Sequence, residues 1–329
     1  MAPHVLAGDI GGTKTDLALY TVEPPRRLTL VRQRTYPSRE YASLDAVLAD
    51  FVPGDGERVA AAAFGIPGPV LGDVVITTNL PWRVDRTALA RAIPCERVRL
   101  LNDLEATAYG AAFQPPETLH ILNAGTARSG NRAVIAAGTG LGQAFLFWDG
   151  TRYRAAATEG GHADFAPQDD DEWALARFLR RRHPDHVSVE RAVSGPGLFA
   201  IFAFLTEERG RPVDAAIRER LATGDPGAVI GEAALKGDSP VCAEAVEMFL
   251  GLYGAQAANL ALTVMAVGGV FVGGGMVVKL LPLVAAPFIR RFTAKGRYAD
   301  LLRGIPVRVL LDPATGRLGA AHAACDLLE

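Results

Sequence analysis

Apolar positions in this chain come in short runs broken by glycine, and most of the runs have the length of a buried strand rather than a helix. HVLAGDI, residues 4–10, is followed by Gly11 and Gly12 and then by TDLALYTV, residues 15–22, where apolar and small or polar side chains alternate imperfectly. That pattern predicts strand, tight turn, strand. RVAAAAFGIPGPV (58–70) and GDVVITTN (72–79) read as further strands. RVRLLND (97–103) is an apolar strand that gives way at Asn102 to the helical LEATAYGAAF (104–113). The opening theme returns at RAVIAAGTGLGQAFLFWDG (132–150), an apolar run, a glycine-spaced turn and a second apolar run. DDEWALARFLRRR (170–182) begins with acids and ends with bases, as a helix complementing its own dipole does. SVERAVSGPGLFAIFAFLTEE (188–208) reads as strand or loop, a Gly-Pro-Gly break and a helix. A polar helical stretch over 213–234 and a long helix over 240–267 follow. VFVGGGM (270–276) is a strand leading into the helix 277–292, and the end of the chain is strand, loop and final helix (304–328). Strands and helices alternate, so the class is α/β. Two glycine hairpins in different halves suggest a duplicated α/β unit with a cleft between the halves.

Length and composition sharpen this picture. The chain has 329 residues, beyond the size at which a single hydrophobic core usually stops growing, so two domains are expected. Apolar residues make up 49% and charged residues 21%, with 35 Gly and 21 Pro spread along the length, a globular signature. A formal charge of -2 supplies no global field for nucleic acid or an anionic membrane, and RFLRRRH (177–183) reads as a solvated helix end. Cys95, Cys242 and Cys325 are far apart and form no CxxC pair, which fits a reducing cytoplasm. The opening residues show no secretory signal pattern. Residues 248–278 carry no charge, but their seven glycines, Gln256 and Asn259 favour a core helix and a core strand over a membrane span.

The glycine turns bring bare backbone N–H groups to one place, because glycine lets the main chain approach a ligand that a Cβ would hold off. Such groups make an anion concavity, although one Gly-Gly alone is no more than a hairpin turn. No GxxxxGK[ST] is present, and GTGLGQAFLF runs GxGxG into a strand, where a dinucleotide fingerprint needs GxGxxG into a helix. Asp9 before Gly11, Gly12 and Thr13 could hold Mg²⁺ while the threonine and backbone meet phosphate oxygens. A second turn at Gly138, Thr139 and Gly140 and a third at Gly273, Gly274 and Gly275 would then bracket a nucleotide. DIGGT, GTGLG and VGGGM, in that order, resemble the phosphate and adenosine segments of the actin-like ATPase superfamily, whose fold is ribonuclease H-like.

Opposite the nucleotide, LLNDLEATAYG sets Asn102 and Asp103 at the end of an apolar strand, where a ligand cleft opens in α/β folds. Asp103 could accept a hydroxyl proton or cap a helix starting at Leu104. Glu159 and His162 in EGGHADFAP and Glu190 in SVERAVSGPGL add hydrogen-bonding groups suited to a sugar. Together GDIGGTKTDLALY, TTNLPW, LLNDLEATA, GTGLG, EGGHADFAP, ERAVSGPGL and GGVFVGGGMV closely resemble the bacterial glucokinases of the non-ROK, hexokinase-like group over almost the whole chain. The resemblance implies that Asn102, Asp103, Glu159, His162 and Glu190 hold glucose, that Asp103 is the catalytic base, and that Asn79 lies in the loop flanking the sugar. It implies ATP and Mg²⁺ as the other components and a cytoplasmic homodimer. It also implies a small domain of residues 1–112 plus about 312–329, with a large domain of about 113–311.

Two departures stand out. An arginine often stands in family members at the position of Asp16, and a different residue at Lys14, so the first phosphate turn carries altered charges. GHADFAPQDDDEW lacks the cysteines of the ROK kinases' zinc motif, so no structural zinc is expected; Asp169, Asp170, Asp171 and Glu172 read as a helix N-terminus. The function the resemblance implies is Mg²⁺-dependent transfer of the ATP γ-phosphoryl group to the glucose 6-hydroxyl. The alternatives are another hexose, such as mannose, fructose or an N-acetylhexosamine, and a non-catalytic sugar sensor.

Overall fold

A computed structural model describes residues 2–52, 58–93, 95 and 97–329. Those residues fall into two compact units. The first comprises the chain up to Thr118, Ala144–Ala157 and Asp312–Glu329; the second comprises Leu119–Gln143 and Thr158–Leu311. Compared with the domain limits expected from sequence, residues 113–118 and 144–157 group with the first unit.

The first unit opens with β1 (His4–Ile10), β2 (Lys14–Glu23) and β3 (Arg27–Pro37), then α1 (Leu44–Phe51), β4 (Val59–Ile66), a small ladder of β5 (Val74–Ile76) and β6 (Arg83–Asp85), α2 (Arg86–Ala92), β7 (Val98–Asn102) and α3 (Asp103–Ala111). Its main sheet runs β3-β2-β1-β4-β7, with β1, β4 and β7 parallel and β2 and β3 antiparallel to their neighbours. Period-two alternation sorts the side chains onto two faces. Leu6, Ile10, Leu17 and Leu19 pack with α1 and Trp82 on one side, while Val5, Ala7, Ala18 and Tyr20 pack on the other against the chain's last helix.

The chain from Leu119 to Leu311 forms β8 (Leu119–Asn123), β9 (Arg132–Ala137), β10 (Leu141–Trp148), β11 (Tyr153–Thr158), α4 (Asp170–Arg182), α5 (Gly195–Glu207), α6 (Ala215–Thr223), α7 (Pro226–Lys236), α8 (Pro240–Thr263), β12 (Gly269–Gly273), α9 (Gly275–Lys279), α10 (Leu281–Thr293), α11 (Ala299–Arg303) and β13 (Val307–Leu310), and of these most of β10 and β11 falls in Ala144–Ala157 and groups with the first unit. The closing helix, α12 (Thr315–Asp326), belongs to the first unit. The second sheet runs β11-β10-β9-β12-β13-β8. Its hairpin followed by parallel strands repeats the order of the first sheet, as the paired glycine hairpins predict.

Local chemistry sets several boundaries. The Asp169 side chain accepts from the Glu172 amide at 2.9 Å while Glu172 accepts from the Gln168 amide at 2.7 Å, a reciprocal cap that accounts for this acidic cluster. The Gly-Pro-Gly expected to break the chain before α5 instead forms that helix's first turn, because proline there loses no hydrogen bond and Ser194 caps it. The uncharged stretch 248–278 divides into the buried end of α8 and β12, and among the described residues no helix is long and apolar enough to cross a membrane.

Candidate active site

The first glycine turn is held from below. The Gly11 amide donates to the Lys14 carbonyl at 2.9 Å. Ser38, fully buried just past the end of β3, donates its amide to the Thr13 carbonyl at 3.0 Å and its hydroxyl to the Gly11 carbonyl at 2.7 Å. Nothing local in the sequence marks Ser38, because its partners lie in the turn more than twenty positions away. A Cβ on Gly12 would stand 2.7 Å from that of Asn79, so the turn needs glycine to pack on the Asn79 loop. Asp9 is half-buried at the end of β1. Burial, then the nearby carboxylates of Asp103 and Asp16, push its carboxyl up to about 6, against the pull of Lys14 and Arg317.

At the end of β7 the structure settles which residue caps the helix. Asn102, not Asp103, is the cap of α3: its Oδ1 accepts from the amides of Leu104 (2.9 Å) and Glu105 (3.2 Å), and its Nδ2 donates to the Gly68 carbonyl at 3.1 Å. Asp103 is therefore the first helical residue, half-buried, with Oδ1 also 2.9 Å from the Leu104 amide. The first unit thus gathers Asp9, Gly11, Gly12, Thr13, Asn79, Asn102 and Asp103 around the carboxyl ends of β1 and β7.

The second unit repeats the arrangement. In the β9–β10 turn the Gly138 amide donates to the Gly140 carbonyl at 2.8 Å, and the Gly195 amide reaches the Gly138 carbonyl at 2.8 Å. Glu190 accepts from the Leu141 amide at 2.9 Å, and a Cβ on Gly140 would lie 2.5 Å from the same carboxylate oxygen. Glu190 is thereby tied to the turn. Glu159 precedes and His162 ends a short 3₁₀ turn, Gly160–His162, with both side chains exposed. The third glycine loop caps β12, with Gly274 at φ +92°, the left-handed region that favours glycine. Beneath it the Tyr253 hydroxyl, from α8, lies within 3.0 Å of the Ala137 amide and the Ile135 and Gly273 carbonyls, joining the ends of β9 and β12.

Beside Gly138 and Thr139 opens a cavity of about 820 Å³, a volume that suits a nucleoside. Phe199, Pro196, Met276 and Leu280 give it apolar walls, and Asp225, Glu232 and Lys279 add polar groups. Sequence reasoning found Gly138 and Thr139 and missed these walls. Only the Asp225-Pro226-Gly227 turn carries a local signal, since Asp225 caps α7 through the Ala228 amide at 3.3 Å.

The glucokinase family model matches residues 6–327. Glucokinase from Synechocystis sp. is 39% identical over 350 residues, covering 98% of each chain, and that from Trichormus variabilis is 37% identical over 98% of this chain and 99% of its own. Among solved structures, a glucokinase from an Antarctic psychrotroph superimposes with a TM-score of 0.83 at 28% identity, covering 99% of this chain and 100% of that one. The fold is shared with Balamuthia mandrillaris glucokinase solved with glucose, at a TM-score of 0.80 and 22% identity over 98% and 94% of the two chains. With its paired glycine hairpins on the actin-like ATPase fold, the chain belongs to the glucokinase family of ATP-dependent hexose kinases.

Proposed function

We propose that this chain transfers the γ-phosphoryl group of ATP, with Mg²⁺, to the 6-hydroxyl of glucose. The observation that carries the reading is the division of labour at the start of α3, where Asn102 closes the helix end and sets Asp103 in the first turn, near enough to Asp9 to raise its pKa. Asp103 is the base that takes the hydroxyl proton as the new O–P bond forms, when the alcohol becomes acidic. Asn79, Asn102, Glu159, His162 and Glu190 bind sugar hydroxyls. The amides of Gly11, Gly12 and Thr13 and of Gly138, Thr139 and Gly140 grip phosphate oxygens. Gly273, Gly274 and Gly275 close over the nucleoside, whose base and ribose occupy the cavity beside Phe199 and Asp225.

Among the described residues no cluster of three or more ligating side chains is present. Asp9 with phosphate oxygens and water is a donor set that fits Mg²⁺, which takes one or two carboxylates and keeps the rest of its shell for substrate. When bound, the ion would draw charge from the phosphate oxygens. The remaining catalysis is positioning, which the glycine turns and their buttresses Ser38, Tyr253 and Glu190 provide. We place the enzyme in the cytoplasm as a homodimer, in keeping with the family resemblance.

An ADP-release assay with ATP over a panel of hexoses, with and without Mg²⁺, tests the reading; glucose should have the highest kcat/KM. Asp103→Asn should bind glucose as the parent does and turn over about a hundredfold or more slowly, within the range for loss of a general base. An Asn variant as fast as the parent removes Asp103 from the role, and activity confined to another hexose replaces the substrate.

A further inference from the structure

On β1 and β2 the side chains facing α12 are Val5 and Ala7, and Ala18 and Tyr20. The same alternation carries Asp9 and Asp16 onto that face at the hairpin's turn end, where they are direct cross-strand partners. Like charges so placed repel. Arg317, in the first turn of α12, meets them there. It is 6% exposed, its Nε lies 3.0 Å from Asp16 Oδ2, and neither Nε nor Nη1 makes an aligned hydrogen bond. A buried guanidinium with donors to spare is costly unless it serves an anion. Its helix also abuts the second carboxylate, since a Cβ on the preceding Gly316 would stand 3.0 Å from Asp9 Oδ2.

Asp9 and Asp16 are chemically equivalent oxygen donors on one face, and either could take a divalent cation. We propose that Arg317 is a positioning residue for that cation: by engaging Asp16 from α12 it occupies one of the two opposed carboxylates and leaves Asp9 to receive the ion that accompanies the nucleotide. The inference rests on the reading of Asp9 as the magnesium ligand. It also gives the altered charges of the first turn a purpose, because Asp16 brings its own counter-ion from the far end of the chain. Lys14 is exposed and acts on Asp9 from the turn side.

Loss of Arg317 leaves two carboxylates and one positive charge fewer at the turn. Such a site binds a bare divalent ion more tightly and the metal-nucleotide complex less productively. The experiment measures free Mn²⁺ by electron paramagnetic resonance on the full chain, without nucleotide and with ADP, and KM for MgATP in parallel. R317M should bind Mn²⁺ without nucleotide about tenfold more tightly than the parent, with a raised KM for MgATP. D16N should shift bare Mn²⁺ affinity the opposite way, because the released guanidinium then faces Asp9 alone. D16N/R317M should return it close to the parent value, and serves with D16N should R317M fail to fold. If all three variants hold Mn²⁺ as the parent does while D9N weakens it, Arg317 has no part in placing the ion. If D9N binds Mn²⁺ and ADP like the parent, Asp9 is not the ligand, and the premise fails before the inference.

Discussion

His322 shows how much one ring can weigh. It sits on α12, 7% exposed, stacked on Phe113 with centroids 3.5 Å apart and planes 11° from parallel, and its Nδ1 has no hydrogen-bond partner. Burial, then the charge of Arg26, hold its pKa down at about 4, with Asp326 opposing. In the unfolded chain a histidine takes its proton near 6.5, so between those values the unfolded state binds more protons. The stability this residue permits is therefore complete above pH 6.5 and is lost as pH falls toward 4, by roughly 3 to 4 kcal/mol at about 1.4 kcal/mol per unit. His322→Phe should flatten the fall in melting temperature between pH 6.5 and 4.5 while matching the parent at pH 8. Parallel melting curves for the two proteins would show that the ring titrates normally. Nothing in the run AAHAAC announces this, because Phe113 stands more than two hundred positions away.

The turns between elements were the most legible features, and their reasons are local. In GGGM the middle glycine, Gly274, has φ +92°, and a Cβ there would collide with the Ala137 carbonyl. Gly274→Ala combines positive-φ strain of roughly 1–3 kcal/mol with that collision, so β12 and α9 must part from the β9 turn. The expected result is a rise in KM for ATP of tenfold or more with little change in glucose affinity, read by steady-state kinetics against each substrate. A change confined to glucose would place this loop elsewhere in the reaction. Strands β3, β8 and β11 were not legible. In β3, RLTLVRQRTYP, only Tyr36 is buried, so no hydrophobic pattern marks it; register with β2 makes it a strand. The α3 cap was left open in sequence for a related reason: Asn102 and Asp103 are both good caps, and the Gly68 carbonyl that secures Asn102 comes from another loop. The candidate site positions could be matched to motifs one by one. Ser38, Tyr253 and Arg317, which act on those motifs from remote elements, could not.

At the scale of the whole molecule the first unit is assembled from three stretches, and the last of them, Asp312–Glu329, is far along the chain from the first. Its helix α12 places Ala320, Ala321, Ala323, Ala324 and Cys325 against Val5, Ala7, Ala61 and Ala63. Small residues let it sit close, for a Cβ on Gly319 would run into the Ala106 carbonyl of α3, and one on Gly110 into the carbonyl of Thr315. The same helix carries Gly316 to Asp9 and Arg317 to Asp16, so the element that completes the core also reaches the first glycine turn. A chain ending at Leu311 therefore loses more than a terminal helix, exposing one face of a five-stranded sheet whose burial is comparable to the whole stability of a domain. It should be expressed largely insoluble, or bind a hydrophobic dye strongly, with no ADP release. Gly319→Val in the full chain tests the seam without removing it, and should lower the melting temperature by several degrees and weaken MgATP before glucose. If the Gly319→Val variant melts and turns over like the parent, α12 does not set the first glycine turn, and the link drawn between core and chemistry falls at that contact.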